Sequence, residues 1–151
     1  MVNELSPERA RQVLDMLTHG GAMDGINTSL ALRLIPLAVE LKDDELVNRL
    51  LDHASTIAED DVERGWARFE GMKIMKSSAD SMLALAERAE SMDLGNALAA
   101  AVHHHVALLH MSDGALDEAR AIATRSLRLR EQLQDLNGMA YGLALLMAIA
   151  K

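Results

Sequence analysis

The stretch Gly114-Ala115-Leu116-Asp117-Glu118-Ala119 decides the fold, because it joins a turn to the start of a helix. Its glycine marks the turn, and its last alanine begins a series of small residues. Ala119, Ala123 and Ser126 recur at spacings of four and three, which places them on one helix face. Small side chains there let a second helix approach closely. The stretch therefore predicts one half of a closely packed helix pair.

The same spacing occurs twice upstream, in weaker form. Met82, Ala86 and Ala89 have it, as do Val47, Leu51 and Ala54, and the three series start 35 and 37 residues apart. Residues 100–133 resemble one tetratricopeptide repeat, a family with a period of about 34 residues. The resemblance is divergent and strongest over residues 100–150. It implies an all-α fold, a right-handed α-α superhelix of about eight antiparallel helices.

Composition supports the all-α assignment. Half of the residues are hydrophobic, yet there is one Trp, one Tyr and one Phe, so Ala, Leu, Met, Ile and Val must build the core. Strand-forming residues are too scarce for a sheet. No Pro-, Gly- or Ser-rich linker divides the chain. We expect a single domain over residues 1–151, with helical hairpins at 28–60, 61–93 and 94–135 and a terminal helix at 136–151.

Helix starts are marked by residues whose side chains cap free backbone N–H groups. The candidate caps are Ser6, Asn27 or Thr28, Asp43 or Asp44, Asp60 with Glu63, Ser77 or Ser78, Asp93, and Asp135. Capping explains the acidic pairs at 43–44 and 60–61 without any catalytic role.

The formal net charge of −8 disfavours nucleic acid, because nonspecific affinity for nucleic acid comes from Lys and Arg. Arg120, Arg125, Arg128 and Arg130 point in scattered directions on a helix, which indicates a solvated face. There is no cysteine, the N-terminus lacks the blocks of a signal peptide, and the longest uncharged run is shorter than the ~20 residues of a membrane span. We expect a cytoplasmic protein that contacts no membrane.

The histidines at 103, 104, 105 and 110 form the one conspicuous cluster. His103 and His110 share a helix face about 10.5 Å apart along the axis, too far for bonds of about 2 Å to one zinc ion. The sequence therefore predicts no metal site. His103 and His110 should be buried between helices, whereas His104 and His105 should face outward.

No nucleotide-binding or hydrolase motif is present, so we expect no enzyme activity and no cofactor. The resemblance implies a scaffold that binds a peptide or helix on the concave face of its first helices. Carried over, that face comprises Arg68, Met72, Lys76, His104, His105, Leu108 and Met111, with Leu32, Pro36 and Ala101 beside them. The alternative is a ligand-sensing fragment of a larger bacterial transcriptional regulator, whose repeat junctions residues 132–140 also resemble.

The C-terminal segment 136–150 contains no charged residue, and its large apolar side chains point in nearly all directions. A helix that is apolar all round is normally buried all round, and the end of a solenoid needs a polar face. The sequence therefore predicts either a homodimer or a chain truncated from a longer repeat array. The contacts expected for self-association include Tyr141, Leu145 and Ile149.

Overall fold

A computed structural model describes residues 6–19, 23 and 25–150. These residues form α-helices and turns and contain no strand, which confirms the all-α prediction. The described helices are α1 (Pro7–Thr18), α2 (Thr28–Glu40), α3 (Asp44–Ile57), α4 (Asp61–Ile74), α5 (Ala79–Ser91), α6 (Asn96–Ser112), α7 (Leu116–Gln132) and α8 (Leu136–Ala150). None of these helices is both long and apolar enough to cross a membrane.

Side-chain caps start most of the helices where the sequence places them. Ser6, Asn27, Asp43 and Ser78 each accept a hydrogen bond from the backbone N–H three residues later, at 2.8–3.2 Å. The Asp60 carboxylate accepts from the Glu63 backbone N–H at 2.8 Å. Asp135 does the same for Gly138 at 3.0 Å. The choices left open at 27–28, 43–44 and 77–78 resolve to Asn27, Asp43 and Ser78.

The predicted cap at Asp93 is wrong. Helix α6 begins at Asn96, and its N-cap is Gly95, which has no side chain to accept a hydrogen bond. Leu94 adopts a left-handed conformation with φ of 61°, so the helical path cannot continue from Asp93 into α6. A Cβ atom on Gly95 would lie 2.0 Å from the Ala89 carbonyl oxygen. The tight α5–α6 turn therefore depends on glycine at this position.

The chain divides into two compact units, Met1–Gly71 and Met72–Lys151. The boundary lies within α4, inside the second predicted hairpin. In the first unit α2 packs against α1 and α3. Two side chains tie its segments together: Arg49 donates to the Leu17 carbonyl at 2.9 Å, and His53 Nε2 lies 2.6 Å from the Ile26 carbonyl oxygen.

In the second unit each helix from α5 to α8 packs against the next, and α6 also contacts α8. Ala119, Ala123 and Ser126 on α7 are buried, as their spacing predicts. The Ser126 hydroxyl donates to the Ala100 carbonyl at 2.7 Å and thereby satisfies the one polar group in that series. Small residues and this buried hydrogen bond hold α6 and α7 close together.

Candidate binding surface

One side of α6 remains partly open although α5 and α7 cover the rest of the helix. The buried residues of α6 are Leu98, Ala99, Ala100, Val102, His103, Val106 and Ala107. His104 and His105 are partly exposed, and Leu108 is 38% exposed. Together with the half-buried Ala101, these residues form what we call the α6 surface. The prediction that His103 is buried while His104 and His105 reach the surface is confirmed.

His103 belongs to a polar cluster inside the second unit. Its Nε2 atom lies 3.4 Å from Glu90 Oε2, and Arg125 donates to the other oxygen of the same carboxylate. Burial lowers the pKa of His103, and the adjacent Glu90 opposes that shift only in part. The ring is therefore neutral at pH 7 and donates from Nε2 to Glu90. Its Nδ1 atom is then a buried acceptor without a partner among the described residues.

His104 is held by Arg130, which the sequence placed on a solvated face. Arg130 donates from Nη1 to His104 Nδ1 at 2.9 Å and to the Gly138 carbonyl at 3.1 Å. Arginine has no acceptor, so Nδ1 must carry a lone pair and the His104 proton must sit on Nε2. Burial and the Arg130 charge lower the pKa of His104, in agreement with a neutral ring. Arg130 therefore joins α6, α7 and α8.

The other predicted contact residues of the second unit lie in different environments. Burial and the positive charge of Lys73 lower the pKa of His105. Met72 is half-buried, and Lys76 is exposed after α4 with φ of 54°. Met111 is half-buried and packs against the α6–α7–α8 core. His110 is half-buried, in the same range as His104, so it is not the buried residue that the sequence predicts.

Three predicted residues of the concave face lie in the first unit. Arg68 on α4 and Pro36 on α2 are exposed, and Leu32 is half-buried. Arg68 and Pro36 are therefore as exposed as contact residues need to be, whereas Leu32 is exposed only in part. The second unit contains the remaining residues of the predicted face.

The predicted self-association residues need a correction. Leu145 and Ile149 are 5% and 2% exposed, and they pack with Ala107, Ala119 and Ala123 in the core of the second unit. They anchor α8 to its own chain and cannot also form an exposed contact. Tyr141 is 68% exposed, as a contact residue would be. The sequence correctly identified the apolar helix but not which of its faces turns inward.

A groove of about 250 Å³ lies between α1 and α2 in the first unit. Its lining combines apolar and charged side chains: Pro7, Ala10, Arg11, Leu14, Asp15, Leu37, Glu40 and Leu41. The amino-acid sequence does not predict this groove, because helical spacing indicates which face of α1 is buried but not how closely α2 packs against that face. Its volume is below the roughly 300–1,000 Å³ of most small-molecule sites.

The α6 surface places the imidazole rings of His104 and His105 next to the apolar Leu108. These side chains can form hydrogen bonds and apolar contacts. In the described part of the chain no three His, Asp or Glu side chains lie close enough together to hold a metal ion. Sequence reasoning missed Glu90, Arg125 and Arg130 as partners of the histidines. One signal could have found Glu90 and Arg125, because they are 35 residues apart, the same distance as the starts of the first two small-residue series. No protein-family model, curated protein or solved structure matches the chain.

Proposed function

We propose that the chain is a non-catalytic protein-interaction module whose helix pairs stack as a right-handed, tetratricopeptide-like superhelix. The packing of α7 against both α6 and α8, with α6 touching α8, supports this arrangement. Stacked hairpins bring the first helices of successive pairs together in this way. The chain contains no cysteine, which fits a reducing compartment, so the proposal includes a cytoplasmic location.

The observation that carries the proposal is the α6 surface. Two of its neighbours, Lys73 and Arg130, are basic, although the protein as a whole is acidic. Leu108 supplies apolar area within the same surface. A peptide with carboxylates around one apolar side chain matches that combination. His103 and His104 are engaged by Glu90 and Arg130, which indicates a structural use of these rings rather than a catalytic one.

The peptide-binding function is favoured over the ligand-sensing alternative by size and chemistry. The groove between α1 and α2 holds about 250 Å³, and most of its charged lining residues are exposed. A drug-sized ligand is normally buried over most of its surface in a larger site. The α6 surface, by contrast, extends over about two helical turns, from Ala101 to the exposed Leu108, which suits a short extended or helical peptide.

A selection of random displayed peptides against the full chain tests the function. We expect enrichment of acidic sequences with one apolar residue, and the double variant Lys73→Glu/Lys76→Glu should weaken their binding roughly tenfold or more. The matched control is Arg128→Glu/Lys42→Glu, which reverses one exposed helical arginine and one lysine with φ of 59°, close to the 54° of Lys76. Equal loss in both variants, or no enriched sequence, would contradict the proposal.

A further inference from the structure

Helix α8 differs from the other described helices in containing no Asp, Glu, Lys, Arg or His. Its inward face consists of Gly138, Gly142, Leu145 and Ile149. Its outward face is also apolar, with Leu136 76% exposed, Leu143 52% and Met147 67%. Such a surface is unusual on an acidic chain, where charged side chains keep the surface solvated. Packing within the described chain therefore does not explain why the outward face of α8 is apolar.

The exposed residues follow a specific pattern along α8. Leu136, Ala140, Leu143, Met147 and Ala150 are all exposed, and they are separated by four, three, four and three residues. This is the 3.5-residue repeat of a coiled-coil seam, in which each apolar side chain fits between side chains of a facing helix. The seam lies on the side opposite Leu145 and Ile149. Helix α8 thus has one seam for its own chain and a second seam that nothing in the described chain fills.

We propose that the outward seam of α8 pairs with the same seam of a second copy, in an antiparallel two-fold arrangement. Turning one helix about an axis between Tyr141 and Gly142 places Leu136 opposite Met147 of the second copy. The same rotation places Ala140 opposite Leu143 of the second copy. Each pairing occurs twice because a two-fold interface is isologous. The small Ala140 side chain gives room to the larger Leu143 and lets the two helices approach.

Charge favours α8 as the place where two copies meet. Two chains that each carry a formal charge of −8 repel each other over most of their surfaces. They can approach where neither presents charge, and α8 is such a place on both copies. At the centre of the seam the small Ala140 meets the larger Leu143 of the second copy under the two-fold rotation, so the seam fits itself there, which a surface shaped for an unrelated partner need not do.

The size of the seam indicates a weak, reversible dimer. Fifteen helical residues span about 22 Å, and a strip roughly 10 Å wide offers a few hundred Å² on each copy. A standard stable interface buries about 800 Å² on each partner. We therefore expect dissociation in the roughly micromolar to millimolar range, typical of transient contacts.

Two double variants of the full chain test the antiparallel pairing, because they change the same two positions and differ only in the sign of the charge at position 136. Leu136→Glu/Met147→Lys places opposite charges across the two-fold axis, whereas Leu136→Lys/Met147→Lys places like charges there. Sedimentation equilibrium at several protein concentrations should show the first variant dimerising roughly tenfold more tightly than the second at low salt. The difference should shrink at high salt because exposed charges are screened.

Ala148→Lys is the matched control, because Ala148 is exposed beside Met147 on the same helix but lies outside the seam. It should dimerise like the unmodified chain. Leu143→Gln removes a seam residue without adding charge and keeps a good helix former, so it should weaken the dimer even if a charged variant misfolds. A strict monomer at about millimolar concentration, equal association of the two double variants, or an unimpaired Leu143→Gln dimer would overturn the proposal.

Discussion

Replacing Leu145 with alanine should destabilise the protein by about 3 kcal/mol. Leu145 is 5% exposed and packs with Ala107, Ala119, Ala123 and Ile149. The substitution removes three carbon atoms, worth about 2.4 kcal/mol at roughly 0.8 kcal/mol for each buried methylene. The cavity left among short alanine side chains adds the remainder, because the neighbouring helices can close over it only in part. Helix propensity changes little, since both residues are good helix formers.

Urea unfolding followed by circular dichroism measures this loss. With a slope of about 2 kcal/mol per molar urea, the midpoint should fall by about 1.5 M. Met147→Ala is the control, because Met147 is 67% exposed on the same helix and should change stability by less than about 0.5 kcal/mol. The measurement belongs at low micromolar concentration, where a weak dimer is dissociated. Equal effects of the two substitutions would refute the assignment of Leu145 to the intrachain core.

Further predictions concern the pH dependence of stability and the substitution of Gly95 and Gly71. Burial lowers the pKa values of His103, His104 and His105 in the folded chain from the usual 6.5. As the pH falls, these histidines therefore become protonated in the unfolded chain before they do so in the folded chain. The free energy of unfolding should consequently fall as the pH drops below about 6.5. Urea unfolding curves from pH 8 to pH 5 measure this fall in stability, and His103→Gln should make it less steep. A free energy of unfolding that does not change with pH would contradict the prediction. Gly95→Ala should lower the unfolding midpoint, because its Cβ would meet the Ala89 carbonyl carbon and oxygen. Gly71→Ala should raise the free energy of unfolding by up to about 1 kcal/mol, since its Cβ would meet no atom of the described chain within 4 Å. A stabilising Gly95→Ala together with a destabilising Gly71→Ala would show that the α5–α6 turn is misassigned.

Local signals in the sequence predicted the helices well because each signal acts over a few residues. Asn27, Asp43 and Asp135 accept their capping hydrogen bonds within three residues. The small residues Ala119 and Ala123 are buried because helical spacing alone puts them on one face. These features need no knowledge of tertiary structure, and they defined the all-α class and nearly all helix starts.

Helix ends were harder to predict, because several of them break the usual preference for glycine. Lys42, Lys76, Leu94 and Gln134 adopt left-handed backbone conformations after α2, α4, α5 and α7. Non-glycine residues pay roughly 1–2 kcal/mol for that conformation, so the sequence gives no reason to expect it. At Leu94 it shifts the start of α6 away from Asp93.

The partners of the histidines were not predictable from local spacing. Arg130 reaches His104 across 26 residues, and Arg125 reaches Glu90 across 35. Such contacts depend on how the helices pack, which helical periodicity does not specify. For the same reason the sequence identified α8 as apolar but could not say that Leu145 faces inward and Met147 outward.

Peptide binding at the α6 surface is tested most directly by an NMR titration of the isotopically labelled full chain with a selected acidic peptide. We expect amide shifts to change along the α6 surface, at Ala101, His104, His105 and Leu108, and at Lys73 beside His105. Those shifts should saturate together and disappear with Lys73→Glu/Lys76→Glu. Shifts confined to the groove lined by Arg11, Asp15 and Glu40, or the absence of saturable shifts on α6, would contradict it.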